Sequence, residues 1–191
     1  MSDTFVISDT HFNHANILEF KDYLGKPCRE FDSPEQMNEA MMDNWVSVVG
    51  PKDTVIHCGD VLFGMDKADW MAANFAKLPG KKRLVVGNHD NLKILAPFFK
   101  DMQLWIDMEG LILTHTPLHE STLAESHRFK EPKINVHGHL HTTPSPEGPY
   151  RCVCVEQINY TPISIEDFKH PNSVIGLQNK FVIWTVLTVL K

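Results

Sequence analysis

Thr4-Phe5-Val6-Ile7-Ser8-Asp9-Thr10-His11 decides the reading of this chain: an apolar, β-rich run that ends on a carboxylate and an imidazole. Four further segments repeat the arrangement. Thr54–Cys58 runs into Gly59-Asp60, Arg83–Val86 into Gly87-Asn88-His89-Asp90, Leu111–Thr114 into His115, and Ile134–Val136 into His137-Gly138-His139-Leu140-His141. Short runs of this composition predict strands. Each stops on a residue able to bind a transition metal, and open α/β sheets collect their ligands outside the carboxyl ends of their strands. One such end is ordinary turn chemistry. Together the five predict a single site assembled from distant segments.

Strand and helix signals alternate from Phe5 to about Phe168, which predicts an α/β layered fold over residues 1–170. The clearest helix starts at Ser33, with Pro34 at the first helical position and Gln36 at the third completing a capping box. Met37, Ala40, Met41, Trp45 and Val48 then share one face until Gly50-Pro51 stops the helix. A second helix is expected from Asp66 to about Leu78, with Met71, Phe75 and Leu78 inward. A shorter third follows Asn91, with Leu92, Leu95 and Phe98 as its apolar stripe, interrupted by Pro97. After the turn at Pro144–Pro149 a strand is expected at Cys152–Val155, and Pro162–Phe168 reads as an extended piece entering a short helix. Residues 171–191 form an expected C-terminal extension. Its apolar run from Phe181 to Leu190 is shorter than the roughly 20 residues that span a bilayer. A covering strand, an oligomer contact and a non-native addition all remain open for it.

A length of 191 residues suits one domain, and 42% hydrophobic with 22% charged residues is ordinary for a soluble globular protein. The formal net charge of −6 argues against an extended nucleic-acid-binding surface. Lys81-Lys82-Arg83 and the pair Lys130 and Lys133 are small basic clusters, read as solvated surface. Bound divalent cations would still draw a phosphate to one place on an acidic protein. None of Cys28, Cys58, Cys152 and Cys154 has Cys-x-x-Cys spacing. Cys152 and Cys154 alternate along the expected strand as buried thiols. Met1-Ser2-Asp3-Thr4 runs straight into the first strand with no basic, apolar signal, so the reducing cytoplasm is the expected location.

The candidate ligands are the carboxylates Asp9 and Asp60, the carbonyl oxygen of Asn88, and the imidazoles His11, His115, His139 and His141. A mixed nitrogen and oxygen set suits Mn, Fe, Co, Ni or Zn, with manganese the leading expectation. These seven ligands are too many for one tetrahedral ion and suit two divalent ions sharing a carboxylate. Such a pair, roughly 3.5–4 Å apart, would hold a bridging hydroxide and clamp phosphate oxygens. The reaction class that follows is hydrolytic phosphoryl transfer by in-line attack, without a covalent enzyme intermediate. His89 lies between Asn88 and Asp90 in a tight turn, where adjacent side chains cannot all face one ion. Its expected role is to donate to the phosphate or protonate the leaving oxygen, with Asp90 fixing its tautomer from the other ring nitrogen. His57 and His137 are expected behind the ligands, His14 at the rim or away from it, and His119, His127 and His170 on the surface.

Asp9-x-His11, Gly59-Asp60, Gly87-Asn88-His89-Asp90, His115 and Gly138-His139-x-His141 resemble, in order, the five signature blocks of the calcineurin-like metallophosphoesterase superfamily. Ser8-Asp9-Thr10-His11-Phe12-Asn13-His14 also resembles small stand-alone bacterial and phage members. The resemblance implies a four-layer α/β/β/α sandwich of two mixed sheets, with a dinuclear metal site at one edge. It implies that metal one takes Asp9, His11, Asp60 and His141, and metal two Asp60 as the bridge, Asn88, His115 and His139. His89 would hydrogen-bond the transition state, with Asp90 as its orienting partner. One departure concerns the acidic residue that many relatives carry after the Gly-Asp pair, where this chain has Val61-Leu62-Phe63-Gly64.

The expected function is a metal-dependent phosphoesterase acting on phosphodiester or phosphomonoester bonds of small substrates, nucleotides among them. Two alternatives stand beside it. A nuclease acting on DNA or RNA needs a basic groove for the backbone. A non-catalytic metal-binding scaffold tends to lose ligands, and none is missing here. No appended cap is expected over the site, and the loops Phe12–Pro27 and Pro117–Pro132 are expected to set substrate preference. Oligomeric state is left open.

Overall fold

The computed structural model describes residues 2–64, 67–124 and 132–168. The expected helix start at Asp66, together with His127, Lys130, His170 and the extension 171–191, lies outside the described residues. The described strands are β1 (Thr4–Ile7), β2 (Thr54–His57), β3 (Lys81–Val85), β4 (Met102–Gln103), β5 (Trp105–Met108), β6 (Leu111–Thr114), β7 (Ile134–His137), β8 (Tyr150–Cys152) and β9 (Ile163–Ser164). The described α-helices are α1 (Pro34–Val48), α2 (Lys67–Ala73), α3 (Leu92–Leu95) and α4 (Glu120–Leu123).

The strands form two mixed sheets. The first runs β4-β3-β2-β1-β9 and is parallel except for β9, which is antiparallel to β1. The second runs β5-β6-β7-β8 and is parallel except for β5. Side chains alternate across a strand, and that period sorts each strand between two cores. Val6, Ile56, Val85, Leu113 and Val136 fill the space between the sheets. Ile7, Val55 and Leu84 face outward, against Met37, Met41 and Trp45 of α1 and Met71 of α2. On the far side, Ile112 and Tyr150 pack with Leu123 of α4. The result is helix, sheet, sheet, helix, the four-layer α/β/β/α sandwich. Burying each large apolar side chain contributes about 1.5–3 kcal/mol.

Register brings the strand ends together. Ile7 pairs with His57, His57 with Leu84, and Thr114 with His137, so within each sheet the parallel strands end level with one another. The two sheets are then joined at that edge. Ser8 N donates to Val153 O at 2.9 Å and Val155 N donates to Ser8 O at 3.1 Å, while Asp9 N, donating to Gly59 O at 2.9 Å, keeps the ends of β1 and β2 together.

Several expectations need adjusting. Ser33 caps α1 by accepting from Gln36 N at 3.2 Å, but the Gln36 side chain accepts from Asp32 N rather than from Ser33 N. Val48 is exposed and Val49 buried instead, because the chain turns extended at Val49 and carries that side chain onto the Trp45 face. The second helix breaks at Asn74, whose side chain donates to Trp70 O at 3.1 Å and competes with the helical ladder, although Met71, Phe75 and Leu78 are inward. Leu92 is exposed and only Leu95 of α3 is buried. The last strand of the second sheet runs over Tyr150–Cys152, earlier than expected, since Cys154 already leads into a 3₁₀ turn at Val155–Gln157. The first basic cluster is not solvated throughout. Lys82 is buried, its Nζ donating to Leu78 O at 2.6 Å, and Arg83 pairs with Asp101 at 3.0 Å. No helix among the described residues is long and apolar enough to cross a membrane.

Candidate metal centre

The chain turns left-handed where the strands end. Asp9 (φ 56°), His11 (45°), Asp60 (58°), His139 (70°) and His141 (51°) all occupy a region that L side chains rarely adopt. Residues held there cost about 1–3 kcal/mol each and gather at functional sites. Glycine makes the loops' close approach possible. A Cβ on Gly87 would run into Asp60, and one on Gly138 into Ser8 and Asp9.

Each carboxylate is anchored by one oxygen and aimed with the other. Asp9 Oδ2 accepts from His139 N at 2.8 Å and from Cys154 Sγ at 3.3 Å. Its Oδ1 lies 3.9 Å from His11 Nε2 and 3.7 Å from His141 Nε2. Asp60 Oδ1 accepts from His89 N at 2.9 Å, while Oδ2 lies 3.6 Å from His11 Nε2 and 3.4 Å from His115 Nε2. The imidazoles follow the same logic. His115 Nδ1 donates to Cys58 O at 2.8 Å, leaving Nε2 toward Asp60 and 2.8 Å from Asn88 Oδ1. His139 Nδ1 lies 3.0 Å from the same Asn88 oxygen.

Two groups, Asp9 with His11 and His141, and Asp9 with Asp60 and His115, each present ligand atoms within 4.8 Å of one another. Asp9 Oδ1 and both ring nitrogens of His11 are buried without a hydrogen-bond partner. Leaving such atoms unsatisfied costs about 1–3 kcal/mol each. A cation between them removes that cost, so the donor set fits a divalent metal. All seven sequence-expected ligands converge at this edge of the sandwich.

Electrostatics tune the set unevenly. Burial, then the charges of Arg29 and His141, drive His11 down to about 2, so its ring is a neutral donor. Burial acts in the same direction on His115, but the hydrogen bond its ring donates to Asp60 and the charges of Asp9 and Asp60 outweigh it and hold the ring at about 9. Burial alone would raise Asp60, yet His115, the His89 amide and His11 bring it down to about 2. Asp9 is raised, by burial. An imidazolium at His115 thus sits where a divalent cation would compete with its proton.

Four residues absent from the sequence reading of the site surround the candidate ligands. Glu156 Oε1 accepts from His141 Nδ1 at 2.9 Å and from Arg29 at 2.8 Å, with both Arg29 and Glu156 buried. Arg29 also donates to Asp9 O at 2.6 Å and Thr10 O at 2.8 Å. Cys154 is therefore more than a packed thiol, since it donates to the Asp9 carboxylate. Phe63 stacks on His14 with centroids 4.1 Å apart and meets His89 edge-on at 5.4 Å. One sequence signal was available for Glu156: a carboxylate just past Cys152–Val155 repeats the strand-end pattern.

Asp90 departs from its expected role. Its carboxylate accepts from Gly87 N at 2.8 Å, Val61 N at 2.9 Å and Asp60 N at 3.1 Å, buckling two loops together rather than holding the His89 ring. His89 is exposed, its ring centroid 5.7 Å from that of His11. His57 lies behind the ligands, its Nε2 2.9 Å from Thr10 Oγ1, and His137 is fixed by Ser145 Oγ at 3.0 Å and Gly138 O at 2.9 Å. His14 lies at the rim on Phe63, and His119 is exposed, capping α4 through Ser121 N at 3.3 Å.

A metal-fitting cluster on the joined edge of a four-layer sandwich defines a class of phosphoesterase. The model of the calcineurin-like phosphoesterase superfamily domain matches residues 3–154, and the chain belongs to that family. It is 33% identical over 175 residues to the uncharacterized protein MJ1445 of Methanocaldococcus jannaschii, covering 87% of this chain and 89% of that one. It is 28% identical to the Gene 66 protein of Mycobacterium phage L5, covering 74% and 79% of the two chains. Among solved structures, the protein of unknown function AQ665 from Aquifex aeolicus superposes with a TM-score of 0.65 at 24% identity, covering 88% of this chain and 98% of its own. That last likeness concerns the fold.

Proposed function

We propose that this protein is a dinuclear metallophosphoesterase that hydrolyses small phosphate esters. The carrying observation is Asp60 Oδ2, which lies 3.6 Å from His11 Nε2 and 3.4 Å from His115 Nε2 and so faces both halves of the cluster. Asp9, His11, Asp60 and His141 would hold one divalent ion, and Asp60, Asn88, His115 and His139 the other. When bound, two such ions lower the pKa of water and neutralise charge on phosphate. Manganese suits the donor set, as do Fe, Co, Ni and Zn.

The chain's own residues do the rest. Left-handed loops hold the donors without further reorganisation. His89, with its amide anchored on Asp60 Oδ1 and its ring exposed at the mouth, donates to the phosphate and delivers a proton to the departing alkoxide oxygen. Water thereby adds to phosphorus as the ester P–O bond breaks, giving the free alcohol and a phosphate with one ester fewer. The pairing of Arg83 with Asp101 and the burial of Lys82 speak against a basic groove there, hence against the nuclease alternative. The four free thiols suit a reducing compartment such as the cytoplasm.

Hydrolysis of bis-p-nitrophenyl phosphate and p-nitrophenyl phosphate, with Mn²⁺ and then with chelator, tests the proposal. Metal-dependent release from at least one is expected, and the ratio of the two rates separates diesterase from monoesterase. No release from either with saturating metal contradicts an esterase.

A further inference from the structure

Against the second half of the cluster lies a cavity of about 470 Å³, a size typical of small-molecule sites. Asn88 and His115 form one wall of it. The other walls are mainly apolar, from Val86, Leu104, Trp105, Ile112 and Leu118, with Thr114, Thr116 and Thr122 between them. Among the described residues no Lys, Arg, Asp or Glu lines it. The Thr114 hydroxyl is already engaged, accepting from Asn135 Nδ2 at 2.9 Å and donating to Thr116 O at 2.7 Å, so it adds little polarity. Leu104 is 70% exposed and Trp105 44% exposed, large apolar side chains turned to solvent beside a charged centre.

Taking the phosphoesterase reading as its basis, we propose that this cavity receives a flat aromatic group, aryl or nucleobase, of the substrate's ester. The two sites share Asn88 and His115, so a phosphate at the centre and a ring in the cavity are parts of one molecule. Among the described residues the lining offers no cation to hold a second phosphate there. The indole of Trp105 and the Leu104, Ile112 and Leu118 side chains supply apolar faces for a ring. The substrate class is therefore a phosphate ester whose alcohol carries an aromatic ring, an aryl or a nucleoside group, rather than a simple sugar or alkyl phosphate.

Calorimetric titration of the full chain in Mn²⁺ with phenylphosphonate and with methylphosphonate tests this without turnover. The proposal expects phenylphosphonate to bind at least tenfold more tightly. That ratio should fall toward one in Trp105→Ala, which removes a wall, and in Thr116→Trp, which fills the space from an exposed position. Circular dichroism confirms that each variant is folded. A ratio near one in the unaltered chain, or a ratio both folded variants retain, overturns the cavity assignment and leaves the esterase reading standing. Binding of neither phosphonate overturns both.

Discussion

Glu156 Oε1 lies 2.9 Å from His141 Nδ1, which turns the opposite nitrogen of that ring toward Asp9 Oδ1, 3.7 Å away. A carboxylate behind a ligating imidazole fixes its tautomer and raises its basicity, and losing such a partner costs about 10–100-fold in metal affinity. Glu156→Gln should weaken one of two metal-binding events by that factor while sparing the other. Titration with Mn²⁺ followed by calorimetry reads both. Equal weakening of the two would place Glu156 in general packing instead.

His115 makes metal uptake depend on pH. Its folded value of about 9 lies above the ordinary 6.5, so in metal-free protein the ring holds a proton at neutrality. A ligating imidazole must be neutral. Binding therefore expels that proton, and apparent affinity should climb up to tenfold per pH unit until about 9. The sign for stability is the reverse. The raised value stabilises the metal-free fold below pH 6.5 and ceases to do so as pH rises through about 9. Proton release measured in two buffers of different ionisation heat checks the first part; pH-independent uptake between 6 and 9 would refute it.

Gly138→Ala tests the close approach of the loops. Its new Cβ would overlap the side chains of Ser8 and Asp9, both fully buried, so neither has room to withdraw. Overpacking of this kind costs about 1–3 kcal/mol, or roughly 2–12 °C in Tm for a chain of this size. A thermal melt within a degree of the unaltered protein would show that the edge is looser than the geometry requires.

His89→Ala should keep both ions and lose a factor of about 10²–10⁴ in rate, as for a positioned acid. Only its amide touches Asp60, and alanine retains that amide. Loss of metal together with rate would make His89 a ligand.

How much of this was written in the residues varies by element. The strands were legible because Val6 and Ile7, or Val55 and Ile56, must alternate between two cores. The candidate ligands were legible because each strand end carries a possible donor within a few residues. Arg29 and Glu156 were not, since a pair separated by 127 positions declares itself only when the β1 end crosses to the second sheet. Asp90 was misjudged because its neighbour in sequence is His89, whereas the groups it accepts from are amides of two loops. The edge strand β4, two residues long, carries too few residues for a period to show.

The most direct test is anomalous scattering from a crystal grown in Mn²⁺. Two peaks about 3.5–4 Å apart on either side of Asp60 Oδ2 are expected, one touching Asp9, His11 and His141, the other Asn88, His115 and His139. A single peak, or density that leaves Asp60 out of contact with either ion, would contradict a shared-carboxylate centre.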